Sequence, residues 1–129
     1  MSIKQKSHQR QSLISSFKHA FEGIAVGVLN ERNMKIHLCA MCLVILFGIE
    51  FKISIIEWCI CVILCGMVIG AELVNCAVEA IVDMVMPDIH PNAKVAKDTA
   101  AGAVLVCAIS ALIVGGIIFV PKIFSILLK

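Results

Sequence analysis

Ala71–Asp83 reads AELVNCAVEAIVD, and it decides how the remainder of the chain is understood. Glu72, Asn75 and Glu79 recur at spacings of three and four inside an otherwise apolar run, so a helix places them on one face with Asp83 a turn further on. Carboxylates within an apolar helix are costly near lipid and mark a functional site.

That the surroundings are lipid follows from composition. Of 129 residues 60% are apolar and 16% charged, and mean hydropathy is +1.01, values far from those of soluble globular proteins. A bilayer core of roughly 30 Å needs about 20 helical residues, and three apolar tracts supply them: Lys35–Ile49, Ile53–Ala71 and Thr99–Val120. The fold class is therefore an all-α membrane protein with three transmembrane helices. The first 33 residues lack the early apolar core and small-residue cleavage site of a removable signal peptide. Three helices enclose a polar site poorly, so the acidic face is expected to meet a neighbouring copy in a homo-oligomer. Cys39, Cys42, Cys59, Cys61, Cys65, Cys76 and Cys107 all fall in the apolar tracts and read as small hydrophobes rather than a disulfide or zinc framework. A formal net charge of +2 is too small to point to nucleic acid.

Outward from the central stretch, the chain divides into one domain spanning residues 1–129. Residues 1–11, with Lys4, Lys6, His8 and Arg10, read as a mobile basic tail. Residues 12–29 form an amphipathic helix, with Leu13, Phe17, Phe21, Ile24 and Val28 opposed to Ser16, Lys18, His19 and Glu22. Lying in the membrane interface and packing on its own bundle are both compatible with that pattern. Asn30 is a potential cap for the first membrane helix, residues 34–50, with Glu31 in its first turn. Glu50, Phe51 and Lys52 make a short turn, and residues 53–86 a helix of roughly 50 Å, longer than the membrane is thick. Trp58 suits an interfacial anchor, and Gly66 with Gly70 permits close helix approach. Pro87 ends that helix, Asp88–Asp98 is a polar loop, and residues 99–120 form the third span, opened by the small residues Ala100–Ala103.

Basic residues set the orientation. Lys4, Lys6, Arg10, Lys18, Arg32 and Lys35 on the amino-terminal side, with Lys94 and Lys97 in the second loop, outnumber Lys52 in the first, so the amino terminus is expected in the cytoplasm and the carboxy terminus outside. Counting inward from Ile53 places Glu72 near the inner hydrocarbon boundary and Glu79 about 10 Å beyond it. Glu31 and Glu79 could hold a hard divalent cation, Lys97 neutralise phosphate, and Glu72 take a proton from a lipid hydroxyl. Phosphoryl transfer to a lipid alcohol is the reaction this set suits. No GxxxxGK[ST] loop and no strand followed by GxGxxG occurs. A proton- or cation-coupled transporter cycling on Glu72, and a structural subunit whose acids pair with lysines, fit the residue types as well.

Asn30–Glu31 (NE), Ala71–Asp83, and Ala96–Val104 (AKDTAAGAV) together resemble the small prokaryotic diacylglycerol kinase and undecaprenol kinase family, over roughly residues 15–120. Its specific signature is ExxNxxxExxxD joined to a downstream KD. The resemblance implies a homotrimer of three transmembrane helices plus a surface helix per chain, with composite sites between protomers in the bacterial inner membrane. It implies ATP as donor, Mg²⁺ on Glu31 and Glu79, and Glu72 as base. It implies that Asn75, Asp83, Lys97 and Asp98 surround the nucleotide with Glu31 and Glu79, and that Asp88 and His90 lie near it. Diacylglycerol kinases of the family tend to carry an acidic residue where His37 stands. The segment ERNMKIH (31–37) looks more like the undecaprenol kinase branch, which makes undecaprenol the expected substrate and diacylglycerol the alternative.

Overall fold

The computed structural model describes residues 12–88 and 90–128, so the expected tail over residues 1–11 lies outside the described residues. Four helices follow one another: α1 (Leu13–Asn30), α2 (Arg32–Glu50), α3 (Ile55–Val85) and α4 (Pro91–Leu127). No strand occurs among the described residues. The helices α2, α3 and α4 are long and apolar enough to cross a membrane, and most of their large apolar side chains are exposed, as lipid-facing surfaces require.

Each break has a local cause. Ser12 caps α1, its hydroxyl accepting the Ser15 N–H at 3.2 Å. Between α1 and α2 only Glu31 leaves the helical region, at φ −94° and ψ 125°, while its N–H donates to the Gly27 carbonyl at 3.1 Å. Asn30 is thus the last residue of α1 rather than the cap of α2. Glu31 occupies the cap position without a side-chain capping bond, leaving its carboxylate for other partners.

A Schellman motif ends α2. Lys52 adopts the left-handed φ of 49°, Lys52 N–H donates to the Ile49 carbonyl at 3.2 Å, and Ile53 N–H donates to Gly48 at 3.1 Å. A capping box then opens α3: the Ser54 hydroxyl accepts the Glu57 N–H at 3.2 Å and the Glu57 carboxylate accepts the Ser54 N–H at 2.6 Å. Glu57 also pairs with Lys122 of α4 at 3.0 Å.

Helix α4 starts at Pro91, eight residues before the expected Thr99. Proline's fixed φ suits the first helical position, and a His90 ring nitrogen accepts the Asn92 N–H at 3.2 Å. The expected loop therefore shrinks to Met86–His90, and Lys94, Lys97 and Asp98 stand on a helix. At its other end α4 passes through Pro121 to Leu127, beyond the expected Val120.

Helices α2 and α4 both pack on α3, and α1 touches α2 and α3. The two flanking helices meet at the α2–α3 turn, where Phe119 lies 6.5 Å from Phe47 and 6.2 Å from Phe51 between ring centroids. The core there contains Ile53, Cys61 and Ile118, with Trp58 packed beside them. Trp58, expected as an interfacial anchor, packs one side of its ring on this core. A Cβ on Gly48 would stand 2.6 Å from its Cη2 and 2.8 Å from its Cζ2. Gly48→Ala should accordingly lower stability by about 1–3 kcal/mol, whereas a Cβ at Gly27 meets only side-chain ends, the Leu73 Cδ2 at 2.9 Å and the Met34 Cε at 3.5 Å, which can shift, so Gly27→Ala should cost less. Thermal unfolding in detergent separates the two. By contrast, a Cβ at Gly66 or Gly70 would meet no described atom within 4 Å, so these glycines make no close helix contact inside this chain.

Candidate active site

Away from the aromatic cluster the gap between α2 and α4 opens over the middle of α3, and there lies the acidic face. Glu72 is 1% exposed and Asn75 4%. Neither carboxylate oxygen of Glu72, nor the Asn75 Oδ1, has a hydrogen-bond partner among the described residues. Buried polar atoms are ordinarily paired, so three unpaired acceptors on adjacent turns mark a place prepared for something else. A cavity of about 260 Å³ faces them, walled by Asn33 and His37 from α2 and by Ala101, Val104 and Ala108 from α4. Small α4 residues leave its volume open. His37, Glu31 and Glu79 lie near enough for their charges to bear on Glu72.

The polar face continues along α3. Asn75 Nδ2 donates to Glu79 Oε1 at 3.4 Å, the span expected of an i,i+4 pair. Another turn on, the Asp83 carboxylate accepts from Lys97 Nζ of α4 at 2.6 Å. This pair borders a second cavity of about 270 Å³, lined by Asp83, Asp88, His90, Lys94, Lys97 and Asp98. Lys94 pairs with Asp98 at 2.5 Å, one helical turn apart because both belong to α4. Both lysines of this cavity are therefore paired with aspartates.

The expected site residues thus fall into two groups joined by one helix face. Glu72 and Asn75 line the inner cavity, Glu79 is bonded to Asn75, and Asp83, Asp88, His90, Lys97 and Asp98 line the outer one. Glu31 stands at the break between α1 and α2. Among the described residues no three His, Cys, Asp or Glu side chains are close enough to hold a metal by themselves. Asn33 and His37, which wall the Glu72 cavity, were not expected as site residues. Their signal was the i,i+4 spacing of two polar side chains at the start of an apolar helix.

On the side away from Glu79, the Glu72 cavity adjoins an apolar one of about 310 Å³ between the same helices, lined by Met41, Val44, Cys65, Val68, Ile69 and Leu112 among others. His37 and Ala108 border both.

Residues 18–119 match the family described as prokaryotic diacylglycerol kinase, and the chain belongs to that family. It is 42% identical to an undecaprenol kinase from Bacillus subtilis over 95% of this chain and 99% of the relative. Identity is 35% to a diacylglycerol kinase from Synechocystis, covering 90% of this chain and 67% of the relative. A diacylglycerol kinase from Haemophilus influenzae is 32% identical, covering 83% and 92%.

Proposed function

We propose that this chain is a membrane lipid kinase that transfers the γ-phosphoryl group of ATP to the terminal hydroxyl of undecaprenol. The observation that carries this reading is the buried, unpartnered Glu72 carboxylate, placed between an apolar track for a lipid chain and a polar face leading to charged residues. A lipid alcohol entering along the track brings its hydroxyl to Glu72. The hydroxyl oxygen bonds to the γ-phosphorus, the bond from that phosphorus to the bridging oxygen breaks, ADP leaves, and Glu72 takes the hydroxyl proton. Asn75 holds Glu79, and Lys97, released from Asp83, neutralises phosphate oxygens beside Asp88, His90 and Asp98.

Glu31 and Glu79 are the residues that would hold Mg²⁺, and their chemistry fits it. Both offer hard carboxylate oxygens, and Mg²⁺ commonly binds through one or two carboxylates plus substrate phosphates rather than in an all-protein cage. That habit agrees with the lack of a three-ligand cluster among the described residues. Bound there, the ion would neutralise charge on the phosphates.

The site is taken to face the cytoplasm, where ATP is available, with the amino terminus inside and the carboxy terminus outside, as the basic residues require. Helix α1 lies in the interface with Leu13, Phe17 and Phe21 toward lipid, and with Lys18, His19 and Glu22, which pair among themselves, toward water. A homotrimer would cover the open Gly66 and Gly70 surface of α3 and complete the sites between protomers.

Undecaprenol is favoured over diacylglycerol by the relative at 42% identity. The transporter reading is disfavoured because, among the described residues, polar side chains lead from Glu72 toward Glu79 and Asp83, whereas the opposite track is lined, His37 apart, by apolar residues. Purified protein in lipid, given labelled ATP and Mg²⁺, should phosphorylate undecaprenol at least about tenfold faster than diacylglycerol. Transfer to neither lipid, or Glu72-dependent ion flux into liposomes without ATP turnover, overturns the reading.

A further inference from the structure

A lipid hydroxyl carries one hydrogen and donates one hydrogen bond. The inner cavity offers three acceptors without a partner among the described residues: both carboxylate oxygens of Glu72 and the Asn75 Oδ1. They belong to side chains 1% and 4% exposed, and both side chains line the same cavity of about 260 Å³. Because Asn75 Nδ2 donates to Glu79 Oε1 at 3.4 Å, the amide oxygen is the atom left for the cavity. Substrate alone therefore leaves two of the three acceptors unsatisfied. No lysine or arginine lines the cavity, whose other polar walls are Asn33 and His37. A proton on Glu72 would serve one carboxylate oxygen and leave the other, and the Asn75 oxygen, as they were. All three atoms are hard oxygens, the kind that suits hard cations rather than zinc or copper. Net charge then selects the valence. One carboxylate among neutral amides carries a single negative charge, so a monovalent ion leaves the buried site neutral, whereas a divalent one leaves a positive charge uncompensated between apolar helices.

We propose that the inner cavity binds a hard monovalent cation, Na⁺ or K⁺, through the Glu72 carboxylate and the Asn75 Oδ1, with the Asn33 amide oxygen on the α2 wall and water completing its shell. This ion shares neither carboxylate with the Mg²⁺ assigned to Glu31 and Glu79. One carboxylate and two amides also fall outside any grouping of three His, Cys, Asp or Glu side chains, of which the described residues hold none. The site stands on this donor set, and its consequence rests on the lipid-kinase reading. A cation on Glu72 occupies the oxygens that a lipid hydroxyl must reach, so the two compete, and the ion leaves before Glu72 takes a proton. While no lipid is bound, the ion keeps the carboxylate charged and compensated in surroundings that would otherwise penalise it.

The test is thermal unfolding of the full-length protein in detergent free of divalent ions, in NaCl, KCl and choline chloride at equal ionic strength. NaCl or KCl should raise the midpoint above that in choline chloride by about 2 °C or more, and the rise should follow the concentration dependence of a site present only in the folded state. Glu72→Gln keeps the side-chain shape without the charge and should abolish the difference between salts. Asn33→Ala should move the half-effect to about tenfold higher salt, and it decides the matter if Glu72→Gln fails to fold. In steady-state kinetics the same cation should raise the KM for undecaprenol in proportion to its concentration and leave the KM for Mg²⁺-ATP unchanged within about twofold, as competition at Glu72 alone requires. Equal midpoints in the three salts overturn the proposal and mean that water or a proton alone serves these oxygens. A difference between salts that survives in Glu72→Gln overturns it too, as does an unmoved half-effect in Asn33→Ala where the first variant is not obtained. A lipid KM indifferent to the cation overturns the competition. If wild type phosphorylates neither lipid yet responds to the salts, the lipid-kinase reading has failed and the cation site stands; if wild type is active and the salts are equivalent, only the cation site has failed.

Discussion

Glu72→Gln should lower phosphoryl transfer by about 10²–10⁴-fold, the usual contribution of a positioned general base, while nucleotide binding stays within a few-fold of wild type. Glutamine keeps the shape of the side chain and removes its ability to take a proton. The same substitution should raise the thermal midpoint, because an ionisable group 1% exposed and lacking partners for both oxygens among the described residues is expensive to keep in the folded protein. A variant that is dead and more stable is the expected trade-off where a site holds a destabilising group for chemistry. Lipid phosphorylation with labelled ATP, read beside a thermal scan in the same detergent, checks both halves. Retention of more than a tenth of the activity would remove Glu72 from the role of base.

Glu79→Gln is expected to act on a different step. Its carboxylate lies about 10 Å along the helix from Glu72 by the rise per residue, accepts the Asn75 amide proton at 3.4 Å, and is proposed to hold Mg²⁺ with Glu31. Loss of its charge should raise the KM for Mg²⁺-ATP by at least about tenfold to a hundredfold, in the range known for weakened metal sites, and leave the KM for the lipid alcohol close to wild type. Excess Mg²⁺ should restore part of the rate. Binding of a fluorescent nucleotide analogue at increasing Mg²⁺ gives a readout independent of turnover. Equal weakening of lipid and nucleotide would instead mean that the substitution disturbs α3 as a whole.

Hydropathy made the three membrane helices legible, and the i, i+3, i+4 recurrence in Ala71–Asp83 made the acidic face legible, because both are one-dimensional properties of a helix. Capping was harder. Asn30 reads as the cap of α2, yet Glu31 takes that position, because α1 runs on to Asn30 and where it stops depends on its contacts with α2 and α3 as well as on its own residues. The start of α4 was missed by eight residues: polarity in DIHPNAKVAKD suggested a loop, whereas Pro91 and the His90 cap carry a helix through it. That difference turns Lys94 and Asp98 from loop residues into a pair on one helical turn. The cavity walls were the least legible part. Asn33, His37 and Ala108 become neighbours of Glu72 only through the packing of three helices, and no spacing along one helix specifies that.

The two ion pairs between α3 and α4 have a geometric consequence. Glu57 and Asp83 stand 26 residues apart on α3, and their partners Lys122 and Lys97 stand 25 apart on α4. The two helices are thus gauged to nearly equal lengths of about 38 Å and fastened at both ends. Pairs that keep some contact with solvent contribute little to stability one by one, yet they fix registration: sliding either helix by a single 5.4 Å turn breaks both at once. They act as a vernier, holding Glu72 of α3 level with Ala101, Val104 and Ala108 of α4, which wall its cavity.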